Sequence, residues 1–538
     1  MKLVQVRKDS YYDSVFLMLA SRGVQKLPGV TEAIVAMATP MNLDLLGDLG
    51  FDPASLAGLT PNDLIVAIDA DDEAQATAAA QEALAGLNRK KADTAQGNGL
   101  PRVPSLGAAR RLLPDANLAL VSVPGAWAAR EARKCLEAGL HTLVFSDNVS
   151  LEDEIALKKY AVSKDLLLMG PDCGTAIING IPLCFANRVQ RGAIGLVAAS
   201  GTGLQEVSCL IDDYGAGISQ AIGTGGRDLK NAAVGGMTSL LAIKALALDP
   251  DTSVIVVVSK PPAPDVAKRV VAALRASGKP AVAHFLGLPP SPDEGNVAFA
   301  ANLEECAVLA TLLADGRHDL RAARAALAEG PGDDRFRRPS LQRIDTLAAA
   351  EAARLSPQQK YLRGLYTGGT LADETLFLAH AALGGARSNN QTDPAWQLAD
   401  PLKSVGHTIV DLGDDIFTVG KPHPMIDPAA RADRIAQEGA DPACAVLLLD
   451  VVLGYGSHAD PAGACVEAIQ TAKAAAAKRG GYLPVVASVT GTRNDPQDFG
   501  QQVRTLEAAG VIVMPSNYRA ARLAIAIIQA AAHARRTA

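Results

Sequence analysis

Short β-branched runs alternate with Ala-rich stretches along nearly the whole chain. Each change from a near-continuous apolar run to one apolar face every 3.6 residues predicts a strand followed by a helix. Asn117 to Val123, Leu140 to Phe145, Leu166 to Met169, Ala193 to Ala198, Ile218 to Ile222, Val254 to Ser259 and Ala281 to Leu286 read as strands. Most lead into a Gly, Pro, Ser or Asp turn, and that edge of an open α/β sheet is where ligands bind. Strands near 2 to 6, 30 to 37 and 63 to 69 predict a small N-terminal unit, and 408 to 412, 445 to 451, 484 to 489 and 511 to 514 predict a C-terminal one. Residues 88 to 108 and 329 to 341 mix Gly, Pro and charged residues without apolar period and read as linkers. The expected class is therefore α/β, multi-domain, with parallel sheets. Its parts are 1–90, 109–190, 191–328 and 361–538, with 329–360 as linker.

Composition narrows the function classes. The 538 residues are 49% hydrophobic but only 4% aromatic, so the apolar content is mostly Ala, Val, Leu and Ile, as in sheets covered by Ala-rich helices. With 51 Lys+Arg against 57 Asp+Glu, the net charge of −6 offers no footprint for nucleic acid. No apolar run approaches the roughly 18 residues of a membrane span. Met1 leads straight into an expected strand rather than an export signal, so a soluble, cytoplasmic protein is expected. Seven cysteines form no CxxC pair and eight histidines no HExxH, so free thiols and no built-in metal are expected.

Candidate chemistry lies in the turns after strands. Ser200-Gly201-Thr202-Gly203 opens a helix. There glycine lets backbone N–H groups approach an anion, hydroxyls add donors and the helix dipole favours negative charge. Thr367-Gly368-Gly369-Thr370 repeats the device, and each turn is followed by an acidic residue, Glu206 and Glu374. Two such turns in different domains are expected to face one phosphate. The Gly223–Asp228 turn sets Arg227 beside Gly225 and Gly226, and a guanidinium grips carboxylate or phosphate in two-pronged fashion. Thr492, Arg493 and Asn494, after the strand at 484 to 489, combine hydroxyl, cation and amide for a phosphate and a carbonyl. His423 sits between two prolines that fix its backbone. Cys173 has no base near it in sequence. Gly278-Lys279 and Gly420-Lys421 are each followed by Pro, which excludes a P-loop, and Gly454 to Ala459 is an incomplete dinucleotide fingerprint.

Val123-Pro-Gly-Ala, Glu137-Ala-Gly-Leu-His, Met169-Gly-Pro-Asp-Cys-Gly-Thr-Ala176 and Gly195 to Thr202 resemble the α chain of succinyl-CoA synthetase. The wider chain, with Arg363 to Thr370, Lys421-Pro-His-Pro-Met-Ile-Asp427 and Gly491 to Gln497, resembles the FdrA proteins. The resemblance implies Rossmann-like and flavodoxin-like parallel sheets of the succinyl-CoA synthetase type. Residues 109–190 would be a CoA-binding-like domain, 191–328 a flavodoxin-type domain and 361–538 a ligase-CoA-like domain. It further implies a subunit of oxamate carbamoyltransferase, in anaerobic allantoin breakdown. That enzyme interconverts carbamoyl phosphate plus oxamate with oxalurate plus phosphate, in a hetero-oligomer linked functionally to a carbamate kinase. On that reading His423, Arg493 and Asn494 are catalytic. Ser200 to Gly203, Gly225 to Arg227, Gly368 to Thr370 and Thr492 hold the anion, and no cofactor or metal is required.

Departures from the ligases favour that reading. Where a phosphorylated histidine follows the ligases' Lys-Pro-Val-Val strand, the matching place after Lys279-Pro-Ala-Val282 holds Asn296. There is no ATP-grasp region and no Phe-Thr-Gly turn near the N-terminus. An acyl-CoA synthetase-like enzyme, using CoA and relying on a partner chain for nucleotide, stays open as the alternative. A non-catalytic scaffold or regulatory subunit is the second.

Overall fold

The computed structural model describes residues 1–8, 10, 12, 14–95, 103–316, 321, 324, 336, 341–418 and 422–537. They form two compact units, Met1–Ala108 with Val419–Pro422, and Ala109–Thr418 with His423–Ala538. In the first unit β1 (Lys2–Arg7), β2 (Val30–Met37) and β3 (Leu64–Ala70) make an antiparallel sheet in the order β1-β3-β2. The helix Glu73–Ala95 runs into the stretch expected as a linker from 88.

The second unit carries three sheets. β4 (Leu118–Val121), β5 (His141–Val144) and β6 (Leu168–Met169) are parallel, joined by the helices Gly125–Glu137 and Leu151–Ser163. The second of these starts on a Ser150 side-chain cap and has Glu152, Asp153 and Glu154 in its first turn, complementing the helix dipole.

A seven-stranded sheet follows, built of β7 (Thr175–Ile178), β8 (Ile181–Cys184), β9 (Arg191–Ala199), β10 (Ile218–Gly223), β11 (Val254–Ser259), β12 (Ala281–Phe285) and β13 (Val297–Phe299). A five-stranded parallel sheet holds β14 (Tyr361–Tyr366), β15 (Thr408–Asp411), β16 (Cys444–Val452), β17 (Val485–Thr490) and β18 (Val511–Met514).

The orders are β13-β12-β11-β9-β10-β7-β8 and β15-β14-β16-β17-β18. Counting the five parallel strands of each in chain order, both read 2-1-3-4-5, the flavodoxin-like winding whose crevice opens where the order reverses, beside the first strand. β11 and β16 are buried on both faces, which is why they appear in sequence as unbroken apolar runs.

One apolar core, from Ile177 to Ala531, runs through both flavodoxin-like halves, so the regions expected as separate domains share an interior. Three further differences stand out. Asn179 (φ 52°) and Gly180 (φ 78°) turn β7 into β8, a hairpin not expected from the sequence. The segment expected as linker 329–360 lies partly outside the described residues, but from Leu341 to Ala352 it is a helix that buries Ile344 and Ala348. Finally, Asn296 precedes β13 at the amino edge of its sheet, and its amide donates to Leu274 O (3.1 Å) and Lys279 O (2.5 Å). It therefore occupies no reaction centre at the carboxyl edge. No described helix is long and apolar enough to cross a membrane.

Candidate functional site

The first helix of each flavodoxin-like half begins where its first strand ends, and these two starts meet. Ser200 adopts an extended φ of −168° and does not cap its own helix, Gly201–Asp213. Its Oγ instead bonds Thr370 Oγ1 across the seam (2.7 Å), and the Thr370 amide donates to Thr202 Oγ1 (3.2 Å). On the other side, the Thr367 and Gly368 amides donate to the Asp450 carboxylate (2.8 and 2.7 Å), which also pairs with buried Arg431 (3.2 Å).

The expected pair of turns is therefore brought together, but part of the expected cradle is occupied. The hydroxyls of Ser200, Thr202 and Thr370 bond within the seam, and Asp450 is the anion at Thr367 and Gly368. Gly203 and Gly368 serve close packing. A Cβ on Gly203 would stand 2.9 Å from Thr370 Cγ2, and one on Gly368 2.9 Å from Thr202 Cγ2. Gly201 is exposed and Gly369 partly so, and no described residue accepts their amides. These helix-start N–H groups are the donors left for a ligand.

Charged side chains from other strand ends ring this opening. Lys260 follows β11, and its Nζ pairs with Asp373 of the facing helix Gly369–Leu383 (2.7 Å) and stands 3.5 Å from where a Gly369 Cβ would be. Burial works against the Lys260 ammonium, but Asp373, Asp411 and Asp172 outweigh it and hold its pKa above the ordinary value. Asp411 closes β15. Burial pushes its carboxyl up to about 6 against the pull of Lys260, while Asn390 donates to it (3.0 Å) and to Asp373 (3.3 Å). Asp172, exposed on the turn after β6, is pushed up to about 7 by the protein crowded around it and by Asp147 and Asp415, with Lys260 and Arg227 opposing.

His423 lies beside the Thr367 turn. A Cβ on Gly413 would be 2.6 Å from its Nε2 and 2.9 Å from Thr367 O. Burial lowers the His423 pKa to about 4, so the ring is neutral near pH 7 and its Nδ1 accepts from the Met425 amide (3.2 Å).

Other expected residues stand elsewhere. Arg227 is engaged by Glu154 (2.7 Å) and Val149 O (2.7 Å), in a buried network where Lys158 binds Asp228 (2.7 Å) and Thr224 O (3.0 Å). This network clamps the Gly225-Gly226 turn to the helix Leu151–Ser163, so Arg227 is a structural cation that borders the opening. Thr492, Arg493 and Asn494 line a cavity of about 410 Å³ with Gln190, Asp212 and Phe499. Asp212 lies at the far end of the helix Gly201–Asp213, about 16.5 Å from its start at 1.5 Å per residue. The loop thus faces away from the seam, and the Thr492 hydroxyl already donates to Arg188 O (2.8 Å). Cys173 is buried and its thiol is pushed up to about 12, so it is no nucleophile.

Sequence reasoning missed Lys260, Asp172, Asp373, Asp411 and Asn390. A signal existed for the first: a Lys directly after a fully buried parallel strand stands at the ligand edge.

Comparisons with known proteins follow this anatomy. Residues 365–527 match a family described as CoA-ligase, and residues 1–102 match one described as AllF, heavy metal-associated domain. Residues 1–102 hold no Cys and no His, so thiolate and imidazole ligands are not among their side chains, and methionines are their soft donors.

The α subunit of the ADP-forming succinate–CoA ligase of Aquifex aeolicus is 30% identical over 151 residues, covering 27% of this chain and 48% of that one. A dinucleotide-forming acetyl-coenzyme A synthetase of Ca. Korarchaeum cryptofilum, solved with phosphate and ADP, is similar over 82% of this chain and 87% of that one, at 16% identity and TM-score 0.30.

The matched family is CoA-ligase and the matched ligase relative is a succinate–CoA ligase subunit, which overturns the expectation of a carbamoyltransferase. YahF of Escherichia coli (strain K12) is 45% identical over 522 residues, 97% of each chain. The protein belongs to the family of YahF, a CoA-ligase-like family.

Proposed function

We propose that this chain is an acyl-CoA synthetase-like component that moves an acyl group between phosphate and the thiol of CoA, with any nucleotide step supplied by a partner chain. In the synthetic direction an acyl phosphate and a thiol give a thioester and inorganic phosphate. The phosphate would rest at the exposed amides of Gly201 and Gly369 beside Lys260. The thiol would arrive along the carboxyl edge of β4 and β5, where the turn at Gly125 is packed against Asn148 O. Placement with the FdrA proteins is the finer part of this reading, supported by the motif resemblance and by the AllF-type match at residues 1–102.

The observation that carries the proposal is the meeting of two helix starts at the crevices of two flavodoxin-like sheets, with the Gly201 and Gly369 amides left as donors and Lys260, paired with Asp373, beside them. Fixed dipoles of this kind stabilise phosphate and the charge that develops as it leaves or attacks.

The test is phosphate-dependent cleavage of succinyl-CoA and acetyl-CoA, followed as release of free thiol, with the full chain alone and with co-purified partner chains. Thiol release that saturates with phosphate is expected. No phosphate dependence in either preparation, with an unfolding temperature that CoA does not shift, would remove the reading.

A further inference from the structure

Carboxyl ends of two sheets of the second unit meet at one carboxylate, and Asp415, after β15 of the third, lies within its electrostatic reach. Asp172 follows β6, adopts a φ of 55°, and donates its amide to Ser146 O (3.0 Å), just past β5. Aspartate tolerates this left-handed conformation better than most side chains. Gly225, in the turn after β10, packs against the neighbouring Pro171 O, and a Cβ on Gly226 would stand 3.7 Å from Asp172 Oδ2. The carboxylate therefore lies over the β10 turn, within electrostatic reach of Lys260 after β11. Lys260 in turn answers to Asp411 at the end of β15.

Several nearby carboxylates are committed. Glu154 and Asp228 bind Lys158 and Arg227, Asp373 binds Lys260, and Asp450 binds Arg431. Asp172 is exposed, and its carboxylate has no hydrogen bond or ion pair with any described residue. The charged groups that bear on it are Asp147 after β5 and Asp415 of the short helix Asp415–Thr418, with Lys260 and Arg227 opposing them.

We propose that Asp172 is the proton acceptor for the incoming thiol, and that Lys260 positions and tunes it while helping to hold the phosphate. The inference rests on the acyl-exchange reading above. Asp172 takes the S–H proton as sulfur bonds the acyl carbon. The bond from that carbon to the bridging oxygen breaks, its electron pair leaves on phosphate, and the proton passes from Asp172 to the departing phosphate. Thiol and acyl phosphate thus become thioester and hydrogen phosphate, with no other reactant. The raised Asp172 carboxyl suits this work, because a base with a pKa near the working pH, facing a thiol of about 8.5, accepts the proton readily and gives it up again.

The experiment is the pH profile of kcat/KM for thioester–phosphate exchange, using the full chain with its partners, for wild type, Asp172→Asn, Lys260→Met and Asp147→Asn. Thermal unfolding monitors the fold of each variant. Wild type should show one limb near pH 7. Asp172→Asn should lose that limb and on the order of 100-fold or more in rate. Lys260→Met should move the limb to higher pH, because the cation that favours the carboxylate is gone, and Asp147→Asn should move it lower. A cation serving only as a domain tie would leave the limb where it is. An active wild type with an Asp172→Asn variant that is folded, within threefold in rate and unchanged in profile would overturn the role of Asp172 and leave the acyl-exchange reading standing. A wild type without exchange in any preparation would overturn both.

Discussion

At position 493 a guanidinium stands exposed over the cavity at the far end of the helix Gly201–Asp213, whereas at 431 it is buried against Asp450 and Cys465. The first has the freedom to meet a ligand but lies away from the seam. The second lies behind the seam but is already paired. Neither does what Lys260 can do, which is to present a half-buried cation beside a free helix-start amide. Arg493→Ala is therefore expected to change kcat/KM for exchange by less than about threefold, about 0.65 kcal/mol in the activation free energy. A tenfold loss in a folded variant would bring this loop back to the reacting groups. His423, lowered to about 4 by burial, stays neutral near pH 7 and can offer the seam a hydrogen bond but no charge.

Between elements, the acidic residues of the repeated turns act as exchanged caps. Glu206, on the first helix of the seven-stranded half, accepts the amide of Asn517 (2.9 Å), where the last helix of the other half begins. Glu374, on the first helix of the five-stranded half, accepts the amide of Leu303 (2.9 Å), at the start of the helix Leu303–Ala314 in the seven-stranded half, and the Asn517 side chain (2.8 Å). Each half thus supplies the cap for the other.

Burial pushes the Glu374 carboxyl up to about 7 from 4.5, helped by Glu206 and Glu304 and opposed by its hydrogen bonds. The folded state therefore holds a proton that the unfolded chain has released. This contribution to stability is full below about 4.5 and is lost as pH rises through about 7. Glu374→Gln should flatten the dependence of Tm on pH across that window. Glu374→Ala should lower Tm throughout, since each buried donor left unpaired costs on the order of 1–3 kcal/mol. A Tm profile across that window that Glu374→Gln leaves unchanged would contradict the assignment.

At the scale of the molecule, each unit has apolar cores of its own. Among the described residues, the cores of the first unit lie between Leu3 and Leu87 and those of the second between Leu118 and Ala531. Residues 109–538 produced alone should accordingly unfold in a cooperative transition, measured by calorimetry or circular dichroism. A chain that is molten without its first 108 residues would refute this.

Along the second unit the strands were legible wherever both faces are buried, as at Val254 to Val258, because such strands leave an unbroken apolar run. β7 and β8 escaped because they form an edge hairpin whose outer strand is exposed or half-buried throughout and leaves no unbroken apolar run, although Asn179-Gly180 between them is a hairpin signal. The helix Leu341–Ala352 escaped because its apolar residues follow a charged stretch that reads as linker.

Local pattern was enough for the α/β alternation, for the glycine turns at strand ends and for the pairing in kind of Ser200-Gly-Thr-Gly with Thr367-Gly-Gly-Thr. It could not say which strand ends are neighbours. That depends on the crossovers that set the two 2-1-3-4-5 orders, and crossovers leave no periodicity in the chain. Only the tertiary structure made the two turns bond each other, turned Arg493 to the opposite end of a helix, and gathered Asp172, Lys260 and Asp411 from three sheets around one opening. Side chains separated by scores of residues meet there because parallel strands deliver all their carboxyl ends to the same edge.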